Sequence, residues 1–81
     1  MAKPSPKHAG NPALASIGKT VRAMRKAKGL SQEELALATE MDRSYIGGIE
    51  RGEHNLTVLN LVRIASVLDV AAGQLLTHAG V

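Results

Sequence analysis

Apolar residues recur along this chain at helical spacing in separate short stretches. Leu14, Ile17, Val21 and Met24 fall three and four residues apart, which places them on one face of a helix opening near Asn11 to Ala13. Pro12 suits the first helical position because its missing N–H would have had no intrahelical partner. Gly29 suits the left-handed residue that ends a helix. Gly18 lies inside this stretch and costs about 1 kcal/mol in propensity against alanine, a loss consistent with a close helix contact. A second, narrower stripe, Leu35 and Ala36, belongs to a helix running from Gln32 to near Thr39. Ser31 and Glu34 form a capping box at its start, hydroxyl to backbone N–H and carboxylate back to the cap N–H. Asp42 caps a third helix through Arg51, with Ile46 and Ile49 on one face and Gly52 to end it. Thr57 caps a fourth, in which Val58, Leu61, Ile64, Ala65 and Leu68 run inward. Asp69 and Val70 break to a short fifth helix over residues 71–76, where Leu75 and Leu76 close the core. The expected fold class is all-α: a compact five-helix domain over residues 13–78, with a frayed end at 79–81.

The second and third stretches, residues 30–50, are joined by a turn of only three or four residues. That is the spacing of a helix-turn-helix, in which the second helix can enter a DNA major groove. Arg43 and Ser44 occupy the first exposed positions of this reading helix. Arg43 can donate two bonds to guanine O6 and N7, and Ser44 can serve a base edge or a phosphate. Tyr45 can pack on sugar and donate to phosphate. Arg51, His54 and Asn55 lie just beyond the helix, from where they can reach the DNA backbone. Gly47 and Gly48 are the least helix-friendly part of the segment, and close backbone approach to DNA or to another helix accounts for them.

Composition narrows the remaining possibilities. Eighty-one residues suffice for one small domain, and the absence of Phe and Trp requires an aliphatic core. There is no cysteine, so neither a disulfide nor a thiolate metal site is available. His8, His54 and His78 lie in separate elements, none with a metal-like spacing of partners, and no nucleophile motif or phosphate-binding loop is present. The chain is expected to hold no cofactor and no catalytic site. No apolar run approaches the roughly 20 residues needed to span a bilayer, so a cytoplasmic protein without membrane contact is expected. The net charge of +3 is a weak pull toward anions, but its placement is uneven. Lys3, Lys7, Lys19, Arg22, Arg25, Lys26 and Lys28 all precede the first acidic residue, Glu33. Residues 1–12, with three prolines and no apolar periodicity, read as a basic arm able to follow phosphates.

The ordered set RKAKGLSQEELA, SYIGGIERGEHNLT and LVRIASVLDV resembles the Cro/repressor-like helix-turn-helix family from about Ile17 to Leu76. The DRSYIGGIER and NLT segments are similar in particular to the small controller proteins of restriction-modification systems. The resemblance implies an all-helical domain that binds double-stranded operator DNA, usually as a homodimer, and regulates transcription. In a controller, operator occupancy would act on a linked promoter through geometry and contact with RNA polymerase. The resemblance also implies an ion pair between Arg25 and Glu50, which occupy the family positions near the ends of the first and third helices. Gln32 matches the family glutamine that meets phosphate and braces the reading helix. Gly48 departs from the pattern, because family members often contact bases there, and this shifts discrimination toward Arg43 and Ser44.

Leu59 and Val62 fall outside the inward set of the fourth helix. With Val67 they form a second apolar patch, readable as incidental surface or as an isologous dimer contact made by the fourth and fifth helices. A phage-type repressor or an autorepressing antitoxin would use the same domain. A protein-interaction module with an idle reading surface is the alternative of a different class.

Overall fold

The computed structural model describes residues 10–81, so Lys3, Lys7 and His8 lie outside the described residues. Five helices follow in order: α1 (Pro12–Ala27), α2 (Gln32–Thr39), α3 (Arg43–Glu50), α4 (Val58–Val67) and α5 (Ala72–Ala79). Their principal contacts close a ring, in which α3 touches α1 and α2, α4 touches α2 and α5, and α5 returns to α1. The centre of the ring is the core. Each helix contributes to it a fully buried aliphatic side chain: Val21, Leu35, Ile46 with Ile49, Ile64 and Leu75. With no Phe or Trp in the chain, close helix approach has to replace ring volume in filling this space.

The helix ends are set by local chemistry. Asn11 caps α1 by accepting from the Ala13 N–H at 2.9 Å, and Pro12 is the first helical residue, so the ordered domain starts inside the arm expected over residues 1–12. The Ser31 hydroxyl accepts from the Glu34 N–H, and the Glu34 carboxylate accepts from the Ser31 N–H, both at 2.9 Å. Asp42 accepts from the Ser44 N–H at 3.2 Å to open α3, and Thr57 accepts from the Asn60 N–H at 3.1 Å to open α4.

Two expectations are corrected. Val58 is 78% exposed rather than inward: it is the first residue of α4, and the inward stripe of that helix starts at Leu61. The fifth helix runs from Ala72 to Ala79 rather than stopping at residue 76. Its end is closed by the left-handed Gly80, and the Val81 N–H donates back to the Leu76 carbonyl at 3.2 Å. Val67, grouped with the outer patch, is half-buried, packing on the core while lining a surface groove beside Val62. No single helix among the described residues is long and apolar enough to cross a membrane.

Candidate nucleic-acid interface

The turn between α2 and α3 is short because Glu40 takes a left-handed conformation, with φ of 57°. The Met41 N–H can then donate to the Ala36 carbonyl at 2.9 Å, ending α2 as a helix closed by glycine would end. Only Met41 and the cap Asp42 separate this residue from α3.

Two close contacts fix α3 against α1. A methyl group on Gly18 would lie 2.3 Å from the Ile49 carbonyl oxygen and 2.7 Å from that of Glu50. Gly18 is therefore the notch that lets the end of α3 rest on α1. Gly52 repeats the arrangement one step later: its φ is +74°, and a Cβ there would meet the Ala15 backbone at 2.8 Å.

An ion pair holds the same junction. Arg25 Nε donates to Glu50 Oε2 at 2.7 Å, and Nη2 donates to Glu50 Oε1 at 3.0 Å. The third guanidinium nitrogen, Nη1, donates to the Leu30 carbonyl at 2.8 Å, so the fork also fastens the loop that leads into α2. Both side chains are buried. The hydrogen bonds to Glu50 raise the Arg25 pKa above its ordinary value, against the opposing effect of burial. Gln32 joins the pair from the start of α2, its Nε2 donating to Glu50 Oε1 at 3.1 Å. The amide expected to meet phosphate is thus turned inward, while Gln32 remains half-buried at the first position of its helix.

With its inner face committed, α3 turns only its first turn outward. Arg43 is exposed, and Ser44 and Tyr45 are half-buried. Gly47 and Gly48 are buried beneath other side chains of the protein. Their missing side chains make room for the protein's own groups. A Cβ on Gly47 would meet Arg51 Nη1 at 3.1 Å, and one on Gly48 would meet His54 Nε2 at 2.4 Å.

The residues after α3 divide. Asn55 is exposed. Arg51 is exposed but engaged: Nε and Nη2 donate to the two oxygens of Glu53 at 2.9 and 3.2 Å. This pairing raises the Arg51 pKa and lowers that of Glu53. Glu53 is a competitor for the guanidinium that the sequence reading did not identify. His54, expected to reach the DNA backbone, is instead drawn into the protein. It is 9% exposed, its ring centroid lies 4.9 Å from that of Tyr45, and its Nε2 is buried with no hydrogen-bond partner among the described residues. The sequence carries one faint signal of this placement, the absence of a side chain at Gly48.

On α4, Leu59 is 62% and Val62 46% exposed. Val62 and Val67 line a shallow groove of about 340 Å³ with Ala38, Thr39, Glu40, Arg63 and Ser66, between the end of α2 and α4. Leu37, on α2, is a further exposed aliphatic residue that helical periodicity did not single out.

Known proteins are similar to this chain in sequence and in fold. Residues 21–75 match the helix-turn-helix family. The control protein C.SmaI of Serratia marcescens is 39% identical over 64 residues, covering 79% of this chain and 76% of that protein. The crystal structure of the restriction-modification controller protein C.AhdI from Aeromonas hydrophila superposes with a TM-score of 0.74 at 45% identity, over 76% of this chain and 94% of that one. The biofilm regulator SinR, solved in complex with DNA, superposes with a TM-score of 0.71 at 38% identity, over 74% of this chain and 97% of that one. The match to the family spans most of the five-helix ring, includes α2, the turn and α3, and joins this chain to regulators rather than enzymes. The chain belongs to the Cro/repressor-like helix-turn-helix family of DNA-binding transcriptional regulators.

Proposed function

We propose that this protein acts as a restriction-modification controller: a homodimer that recognises a pseudo-palindromic operator and sets transcription of linked genes. The observation that carries the reading is the placement of Arg43 at the exposed start of a helix whose other face is locked to α1 by Gly18 and by the Arg25–Glu50 pair. A reading side chain must be presented rigidly if a bidentate bond to guanine is to discriminate among bases. The similarity to C.SmaI and C.AhdI favours restriction-modification genes as the target.

In this reading Arg43 and Ser44 contact base edges. Tyr45 and Asn55 contact the backbone, the N-terminal end of α2 at Gln32 offers donors to a phosphate, and Arg51 exchanges Glu53 for phosphate on binding. Leu59 and Val62 supply the apolar contact between two copies, which sets the reading helices about one duplex turn apart. RNA polymerase meets the bound dimer at the promoter, and the protein works in the cytoplasm, where the genome lies. Selection of bound fragments from genomic DNA, followed by titration at several salt concentrations, tests the proposal. Inverted repeats near restriction and methyltransferase genes are expected, with affinity falling as salt rises. Failure to enrich any sequence would overturn it.

A further inference from the structure

The buried imidazole of His54 has no place in the contacts proposed above, and its surroundings are unusual. It lies between Gly48 and Tyr45. Nε2 and Cδ2 would be 2.4 and 2.5 Å from a Cβ on residue 48, so the ring rests directly on the α3 backbone, in a space that only glycine leaves open. Its other neighbour is the Tyr45 ring, tilted at 40° with centroids 4.9 Å apart.

Stability does not explain a histidine at this place. A buried ring nitrogen without a partner penalises the folded state, and an apolar side chain of similar volume would avoid the penalty. The imidazole supplies a thin planar wall, which a branched aliphatic side chain does not. Tyr45 needs such a wall. Among the described residues its hydroxyl is held by one long bond, from Asn60 Nδ2 at 3.4 Å, while the ring packs on the core.

We propose that His54 is a positioning residue for DNA binding, acting through Tyr45: seated on Gly48, it fixes the phenol in the orientation that meets the DNA backbone. The inference rests on the reading of Tyr45 as a backbone contact. Gly48 thereby acquires a role distinct from base readout, since it provides the seat.

The test is a double-mutant cycle on affinity for the selected operator, with urea denaturation of each variant. Y45F is expected to weaken binding about tenfold. H54A is expected to do the same alone and to add less than twofold in the Y45F background, because the contact it supports is already gone. G48A keeps His54 but inserts a methyl group into its seat, and is expected to reproduce the H54A loss with helicity retained. Tyr45 is the only tyrosine in a chain without Trp or Phe, so its near-ultraviolet dichroism reports this ring in the absence of DNA. That signal should fall in H54A and G48A while far-ultraviolet dichroism is preserved. If H54A does not fold, G48A carries the same test.

Equal H54A factors in the wild-type and Y45F backgrounds would overturn the positioning role alone, leaving Tyr45 as a contact. Wild-type affinity in G48A would do likewise. Unchanged affinity in Y45F would remove the backbone contact itself and the inference with it.

Discussion

Arg25 and Glu50, twenty-five residues apart in the chain, meet through two parallel hydrogen bonds and join the end of α1 to the end of the reading helix. The fork geometry matters because it fixes direction as well as distance. Since Nη1 also holds the Leu30 carbonyl, one guanidinium ties together α1, the approach to α2 and the end of α3.

Removing the acidic partner leaves a buried, uncompensated cation. Glu50→Ala is expected to destabilise the domain by about 3–5 kcal/mol, read as a lower midpoint in urea. Arg25→Lys, which cannot form the fork, should also lower the midpoint. An unchanged midpoint in Glu50→Ala would show that the pair contributes nothing to the fold.

Gly18→Ala tests the notch between α1 and α3. In a helix interior alanine would ordinarily be the better residue by about 1 kcal/mol, so propensity predicts stabilisation. The methyl group would instead lie 2.3 Å from the Ile49 carbonyl, and backbone has to move to admit it. A net destabilisation of about 1–3 kcal/mol is expected, with weaker operator binding as α3 shifts.

The capping box of α2 predicts an acid-sensitive step. Hydrogen bonding from the Ser31 backbone, then from its side chain, lowers the Glu34 pKa below the ordinary 4.5. The folded state therefore holds the ionised carboxylate more strongly than the unfolded chain does. Its stabilisation is present above pH 4.5 and is lost as pH falls through the lower folded value. Glu34→Gln retains an acceptor for the Ser31 N–H but does not titrate. Urea midpoints measured down through this range should decline less steeply in the variant than in the wild type.

Arg43→Ala is expected to weaken binding to the preferred operator by about 1–3 kcal/mol and to relax selectivity at one base pair, with no loss of helicity. Titrations against the operator and a scrambled duplex, beside circular dichroism, would measure both effects. Equal loss on both duplexes would reassign Arg43 to a phosphate.

Leu59→Glu places a charge on the exposed face of α4 without disturbing the ring core. If that face joins two copies, sedimentation of the wild type shows a dimer and the variant a monomer of unchanged helicity. A wild type that remains monomeric with and without operator would exclude the dimer.

Sequence alone determined the five elements and where they open, though not where the fifth one stops. Helical spacing selected Ile17, Val21, Leu35, Ile46, Ile49, Leu61, Ile64, Ala65, Leu68 and Leu75 as buried, and the caps at Ser31, Asp42 and Thr57 marked where helices open. These are local properties, carried by residues within one or two turns of each other. The Arg25–Glu50 pair was accessible only through family resemblance, because nothing local relates residues so far apart. Only the tertiary structure decided what covers the reading helix. Periodicity places a residue on a face of its own helix but does not say what a later loop lays over that face, so His54 read as surface and Gly48 as a missing base contact. The length of the turn between α2 and α3 was legible, but not its left-handed residue, because Glu40 is not glycine and leaves no mark in the sequence. Packing of a later segment made the choice at Gly48, where the His54 ring fills the space that the glycine leaves open.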